Sequence, residues 1–468
     1  FTNGAGACFT EAFGLTDSDD AQQQVIWGLI KYNDNNVKLP TGVTAKTATA
    51  ANIDLALSKV ATLKGFTEST DKTKIEVSAA GIYAIKAEET GFTYKTATAY
   101  VGFGEPYPAL TNAEVTAKKS PTTVDKTVAD DDHVVAIGDI VTYTIEAYVP
   151  FIDAANTDNR TFTITDKIKG AEYYLAGPNA VSSVTMEGKE GQVGEIVVNE
   201  DGKGFTVNLN TLVADTDNPN AGKKITVTYT ATVNENAVTG INPNTNKASV
   251  TYSNDPSTDG TGTSEEVHAD VYTFAFDIYK YTLTDDQQAD AEGNRTALAD
   301  AQFKLYAANG DAKGDEISLV DESNGVYRQA KDDTETKVEY ITTGDTGIVT
   351  IKGLKDGTYY LTETKAPDGF NKLVGDIKVE INNLTYAADD ATKLESFDVV
   401  YTMPDKTSNT VKVNAIDGKA EIPVRNNAGT MLPSTGGNGG IVFTIVGVAI
   451  IGVMMVSSLV SKKRKNAK

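Results

Sequence analysis

Between Lys224 and Val233 the chain reads Lys-Ile-Thr-Val-Thr-Tyr-Thr-Ala-Thr-Val, a strict alternation of apolar residues with threonine. Ile225, Val227, Tyr229, Ala231 and Val233 fall on one side of an extended backbone, and Thr226, Thr228, Thr230 and Thr232 fall on the other. Period two in β-branched and aromatic residues marks a half-buried strand, because a helix would scatter the same residues around its axis. The pattern recurs at Val141, Tyr143, Ile145, Ala147 and Val149, at Phe162 and Ile164, and at Phe205, Val207 and Leu209. Gly, Asn and Asp clusters interrupt these runs about every ten residues, the spacing of sandwich turns. Such a chain hides its apolar faces by packing sheet on sheet, so the expected fold is all-β, in tandem β-sandwiches.

The pattern divides the chain into four segments. Residues 1–111 read as a mixed module, with Ile53, Leu57 and Val60 on one face of a short helix and a strand from Phe92 to Phe103. Residues 112–270 and 271–427 read as two all-β modules. The Ser-, Thr-, Gly- and Asp-rich stretch from Ser253 to Glu266 reads as a linker. Residues 428–468 hold Leu432-Pro433-Ser434-Thr435-Gly436, a short glycine-rich spacer, 20 uncharged residues from Ile441 to Val460, and the basic cluster Lys462-Lys463-Arg464-Lys465. A helix over 441–460 is long enough to cross a bilayer, and a basic cluster after it marks the cytoplasmic side. The residues before it then lie outside the cell.

Composition narrows the functions. A net charge of −22 and a pI near 4.6 argue against nucleic acid and anionic membrane surfaces as partners. Cys8 is the single cysteine, so no intrachain disulfide forms. His133 and His268 are the two histidines and stand apart, and HExxH and CxxC spacings are absent. No metal site and no cofactor are therefore expected. The acidic runs Asp130-Asp131-Asp132 and Asp215-Thr216-Asp217 read as solvated turns. The sequence starts at Phe1, which reads as an N-terminus already processed or truncated.

The ending resembles the cell-wall sorting signal of Gram-positive surface proteins, in which a sortase cuts the LPxTG motif between Thr and Gly, here Thr435 and Gly436. Residues 359–370, Tyr-Tyr-Leu-Thr-Glu-Thr-Lys-Ala-Pro-Asp-Gly-Phe, resemble the E-box of pilins, with Phe370 in place of the final Tyr. The segments Tyr272 to Lys280, Leu298 to Tyr306 and Glu421 to Asn426 resemble the first, second and last strands of CnaB-type domains. In such domains a lysine and an asparagine join in an intramolecular isopeptide bond with help from the E-box glutamate. The resemblance implies Lys280, Asn426 and Glu363 for these roles, with Asn427 as a second acceptor. A lysine buried among apolar groups loses its proton and becomes a nucleophile. Burial also favours a neutral carboxylic acid, which can donate to the amide oxygen and shuttle protons as ammonia leaves. The fold holds the reactants together.

The middle module, with Val124-Asp125-Lys126-Thr127-Val128, Phe162-Thr163-Ile164-Thr165-Asp166 and Asn246-Lys247-Ala248-Ser249-Val250, is similar to the isopeptide-bearing middle domain of backbone pilins. By that similarity Lys126 is donor, Asp166 carboxyl catalyst and Asn246 acceptor, with Asn254 as rival acceptor. Lys126 and Asn246 each open a strand, so parallel neighbours would bring them together. Backbone pilins also carry a linkage lysine in a YPKN-like motif before this module. Here Tyr107-Pro108 is followed by Ala109, and Lys118 stands at the corresponding place, with Lys119 next.

The whole resembles the major subunit of a sortase-assembled pilus, not an enzyme. That resemblance implies identical subunits, pilus-specific and housekeeping sortases and peptidoglycan as partners. Ancillary pilins and host or extracellular-matrix ligands are further partners it allows. The implied location is the Gram-positive cell wall, in a surface fimbrium, reached through a membrane-spanning precursor. A monomeric wall-anchored adhesin is the alternative reading, since it needs no linkage lysine.

Overall fold

The alternating runs become sandwich strands. The computed structural model describes residues 1–429 except 72, 104–108, 117, 130–132, 153–159, 255–259, 286–288 and 417. The LPSTG motif, the 441–460 segment, the basic tail, Tyr107-Pro108 and Asp130 to Asp132 lie outside the described residues. Among the described residues no helix is long and apolar enough to cross a membrane.

In the middle module, Lys224–Val233 is a central strand with Ile225, Val227, Tyr229 and Ala231 fully buried. It runs antiparallel to Ile140–Tyr148 on one side and to Ala171–Tyr173 and Ser182–Met186 on the other. Val124–Val128 is the edge strand beyond Ile140–Tyr148. The facing sheet places Phe162–Ile168 between Gly204–Asn208 and Asn244–Ser253. The two inner faces share one apolar core that includes Tyr143, Ile145, Phe162, Ile164, Phe205 and Val250. Burying each such side chain contributes about 1.5–3 kcal/mol before entropy is counted.

Two expectations need correction here. The stretch 253–266 is not a linker. Thr261–Thr263 folds back onto Thr251 to Ser253, and Val267–Val271 pairs with Asn244 to Ala248. Threonine has high strand propensity, so a polar composition there did not mean loose chain. Nor are the strands of Lys126 and Asn246 parallel neighbours. Val124–Val128 and Asn244–Ser253 belong to opposite sheets and meet across the core.

The last module is a second sandwich. Phe274–Leu283 is antiparallel to Ile348–Leu354 and parallel to Ala420–Arg425, with Lys280 opposite Val424 and Tyr281 opposite Arg425. The facing sheet has the order Ala312–Glu316, Gln302–Asn309, Gly357–Lys365, Asp376–Tyr386, Leu394–Thr402, Ser408–Val413. Only Tyr272 and Thr273 separate the last strand of the middle module from Phe274–Leu283. At this junction Ile137 N donates to Gly353 O at 3.0 Å. Gly353 has φ +80°, and a Cβ there would lie 2.5 Å from Ile137 Cδ1, so only glycine fits without displacement. Lys331 and Glu172 form a 2.8 Å ion pair across the same junction.

The N-terminal module packs helices Ala5–Ala12, Asp19–Asn33 and Ala50–Ala61 around Phe9, Phe13, Val25, Leu29 and Leu57. The helix expected from Ile53, Leu57 and Val60 is present. Thr49 and Asn52 cap it reciprocally, satisfying two N-terminal amides. The expected strand from Phe92 to Phe103 is two short strands with different partners. Ala97–Val101 pairs with Gly81–Ile85, and Phe92–Tyr94 pairs with Lys119–Pro121.

Candidate functional site

Strand parity puts charged residues into both cores. In Phe274–Leu283 the inward set is Phe274, Phe276, Ile278 and Lys280, and Lys280 is 0 % exposed. In Gly357–Lys365 it is Tyr359, Leu361 and Glu363, and Glu363 is also buried. Glu363 pairs in register with Phe303, whose ring lies 5.7 Å from Lys280 Nζ. The two charged groups thus approach from opposite sheets, with Lys280 Nζ 2.9 Å from Glu363 Oε1. Asn426 follows the strand parallel to that of Lys280, and its backbone N–H donates to Tyr281 O at 3.0 Å. Its side-chain nitrogen donates to Glu363 Oε2 at 3.1 Å.

The turn after the E-box strand completes the site. Gly369 takes φ +87°, and Phe370 N donates to Pro367 O at 3.1 Å, so the chain reverses. The reversal brings Leu373 N to donate to Glu363 Oε2 and Asn371 O to accept from Asn426 Nδ2. Sequence reasoning missed Asn371 and Leu373. They act through backbone atoms, and the signal for them is the Pro-Asp-Gly turn. The amide turns its nitrogen, not its oxygen, toward Glu363. An ionised carboxylate only accepts, so donation to the oxygen requires the proton to arrive first and the amide to rotate. Lys280 Nζ and Glu363 Oε1 are buried with only their mutual ion pair, and Asn426 Oδ1 is buried without a hydrogen-bond partner among the described residues. Buried polar atoms are ordinarily satisfied, so an orphaned amide oxygen beside a fully buried ion pair needs an explanation.

The middle module holds a second cluster of the same residue types. Asp166 lies opposite Ala248 and Asn246 opposite Ile168 on adjacent strands, so Asp166 and Asn246 are diagonal neighbours on one inner face. Lys126 reaches them from the other sheet. Its ammonium pairs with Asp166 Oδ2 and donates to Tyr229 OH at 2.7 Å. Tyr229 OH donates to Asp166 Oδ2 at 2.8 Å and accepts from Asn246 Nδ2 at 2.8 Å. Tyr173 OH donates to Asp166 Oδ1 at 2.7 Å. Lys126, Asp166, Tyr229 and Asn246 are all buried, and Asn246 Oδ1 has no partner among the described residues. Sequence reasoning missed Tyr229 and Tyr173. Tyr229 looks like one more apolar position of its strand, and only its hydroxyl sets it apart.

Burial drives the electrostatics. Desolvation pushes the amines of Lys126 and Lys280 down from their ordinary value, against the pull of Asp166 and Glu363. Desolvation, and next the charge of Asp166, hold the Tyr229 and Tyr173 hydroxyls well above the usual phenol range. An ion pair buried this deeply contributes little net stability and becomes costly when one partner is lost.

The alternative acceptors sit elsewhere. Asn254 and Asn427 are exposed. Asn427 O accepts from Asn371 N at 3.0 Å. Lys118 and Lys119 are not in a loose linker, because Lys119 begins a strand paired with Tyr94. Lys119 Nζ lies 3.8 Å from the Phe92 ring centroid and 3.1 Å from Glu89 Oε2, whose hydrogen bond raises its pKa. Lys118 is exposed, and its ammonium has no partner among the described residues. The two histidines are closer than the sequence suggests. His133 Nδ1 is 3.0 Å from Asp270 O, and His268 Nδ1 is 3.4 Å from Asp270 Oδ2.

Two family models match the chain. The prealbumin-like fold domain of SpaA matches residues 287–393, and the LPXTG cell wall anchor motif matches residues 425–468. No curated protein matches. Similar solved structures include the group B streptococcus pilus 2b backbone protein, at 23% identity and TM-score 0.41 over 66% of this chain and 99% of that one. The T6 backbone pilin of serotype M6 Streptococcus pyogenes is similar at 17% identity and TM-score 0.49 over 84% and 91%. The full-length major pilin SpaD from Corynebacterium diphtheriae is similar at 22% identity and TM-score 0.43 over 75% and 77%. The anchor motif and the stacked sandwiches define a surface protein of the Gram-positive cell wall, attached to it through its C-terminal end.

Proposed function

We propose that this chain is the major backbone subunit of a sortase-assembled pilus. Sortase cuts between Thr435 and Gly436 and joins Thr435 of one subunit to Lys118 of the next. The finished polymer is attached to peptidoglycan by the same chemistry. The observation that carries this reading is the pair of buried lysine–carboxylate–asparagine clusters upstream of a wall-anchor motif. Lys118, exposed and unpartnered among the described residues, favours a polymer over a monomeric adhesin, which has no use for it. The chain is a structural substrate of sortases, without turnover of its own.

Each cluster makes one internal bond, once. In the last module Glu363 takes a proton from the Lys280 ammonium, and burial favours that transfer. The free amine attacks Asn426 Cγ, the Cγ–Nδ2 bond breaks, and the nitrogen leaves as ammonia after accepting a proton. Glu363 Oε2, 3.1 Å from that nitrogen, is placed to supply it, and the carboxylate so freed takes the second proton of Nζ, leaving a neutral amide, ammonia and a protonated Glu363. The bond replaces a buried, ion-paired lysine by a neutral amide. Asn371 O holds the acceptor and Leu373 N holds the carboxylate, both set by the E-box turn. The deciding experiment is a wall extract run in SDS. A high-mass ladder that disappears on Lys118→Ala supports the reading, and a single monomer band from the wild type refutes it.

A further inference from the structure

The two clusters differ in which sheet supplies the acid, and the difference leaves a gap that only the middle module has to close. In the last module lysine and asparagine share a sheet, and Glu363 contacts both, at 2.9 Å and 3.1 Å. In the middle module the acid is an aspartate, one methylene shorter. Asp166 pairs with Lys126, but no direct hydrogen bond joins it to Asn246. Tyr229 OH stands between them, 2.8 Å from Asp166 Oδ2 and 2.8 Å from Asn246 Nδ2. A phenol has one proton to donate and two lone pairs to accept with. All three are used, toward Asp166, Lys126 and Asn246.

We propose that Tyr229 is a positioning and proton-relay residue for Lys126–Asn246 bond formation, lending the short Asp166 the reach that Glu363 has by itself. The inference rests on the self-linking chemistry proposed above. The Lys126 ammonium gives a proton to Asp166. The neutral Nζ attacks Asn246 Cγ. As the Cγ–Nδ2 bond breaks, Tyr229 passes its hydroxyl proton to Nδ2 and takes one from Asp166, while Asp166 accepts the second proton of Nζ. Lys126 and Asn246 begin with five N–H hydrogens, counting the ammonium and the amide. They end as one on the new amide, three on ammonia and one on Asp166, with no net change in charge. The Tyr229 ring is held for this task, stacked on Tyr143 at 5.6 Å and edge-on to Phe205 at 4.8 Å. Burial keeps the hydroxyl protonated, so it acts as a carrier and not as a base.

The test uses the full chain and reads both cross-links by mass spectrometry of tryptic peptides from the same molecules. Wild type is expected to show Lys126–Asn246 and Lys280–Asn426. Absence of the first in wild type overturns the self-linking reading itself. Tyr229→Phe keeps the ring and is expected to slow the middle linkage by about 100-fold, the scale of a lost acid–base partner. Lys280–Asn426 should stay complete, which reports a folded chain. The double variant Asp166→Glu with Tyr229→Phe lengthens the acid and should regain most of the linkage. Wild-type linkage in Tyr229→Phe overturns the inference and leaves the bond reading intact. Loss in both variants also overturns it, because a residue needed only for packing cannot be replaced by a longer acid elsewhere.

Discussion

Glu363→Ala tests whether one carboxyl group drives the linkage in the last module. It removes the one acidic group among the described residues in contact with both Lys280 and Asn426. The chain should keep its fold, since the core around Phe274, Phe303, Leu361 and Val379 has no part in the carboxylate. Without the bond, the loop from Lys280 to Asn426 is open in the unfolded state, a loss of about 5 kcal/mol in the loop-entropy treatment of cross-links. A neutral amine left buried without a partner costs about 1–3 kcal/mol more. For a module of roughly 150 residues the unfolding entropy is about 0.3 kcal/mol per degree, so the combined loss lowers Tm by about 20 °C. Calorimetry of the full chain should show one transition moved and the middle module's transition in place. Intact mass should show one ammonia retained beyond the change due to the substitution. A variant with the ammonia lost and Tm unchanged refutes both the catalytic assignment of Glu363 and the loop-closure argument.

Further outcomes follow from the same geometry. Lys118→Ala should abolish the SDS-resistant ladder and leave monomer on the wall, whereas Lys119→Ala, which removes an amine already held by Glu89 and Phe92, should leave the ladder. A ladder that survives the first and vanishes with the second would exchange their roles. Intact mass of wild type processed after Thr435 should fall two ammonia masses below its sequence, and a deficit of one would leave one cluster unlinked. Asn426→Ala leaves a free Lys280 whose pKa is lowered by burial from 10.5. Between that lowered value and 10.5 the unfolded chain binds a proton that the fold does not, so stability should rise with pH across the window. Wild type, with the amine consumed, should lack this rise, and urea midpoints at several alkaline pH values would show which holds.

Much of this was readable from parity. A lysine at the fourth inward position after Phe274, Phe276 and Ile278 is a charge sent into a core, and Asp166 after Phe162 and Ile164 is another. The E-box added the turn that aims Glu363. Parity names the face but not the partner strand, so it does not reveal the crossing between sheets that brings Lys126 to Asp166, in place of the expected parallel pairing. Composition misled at 253–266, where threonines form an edge strand. The helices Ala5–Ala12 and Asp19–Asn33 escaped because small and polar residues dilute their apolar stripes, and their burial comes from contact with each other and with Ala50–Ala61. Tyr229 could not be singled out at all, since its function lies in one oxygen at the end of a core side chain.

The parallel pairing of Phe274–Leu283 with Ala420–Arg425 has a consequence for survival among proteases. Once Lys280 and Asn426 are joined, the residues between them form a closed ring with the new amide as its second path. A single peptide-bond cleavage anywhere in that ring opens it without releasing a fragment, so the subunit stays in one piece. The same holds between Lys126 and Asn246. Severing the molecule with one cut then requires reaching the stretch before Lys126, the stretch between Asn246 and Lys280, or the few residues after Asn426. Most of the middle stretch is already tied into the strands Asn244–Ser253, Val267–Val271 and Phe274–Leu283. A polymer joined through Lys118 and Thr435 is then severed by one cut only between Lys118 and Lys126, between Asn246 and Lys280, or after Asn426, while a cut before Lys118 releases N-terminal residues and leaves the shaft intact.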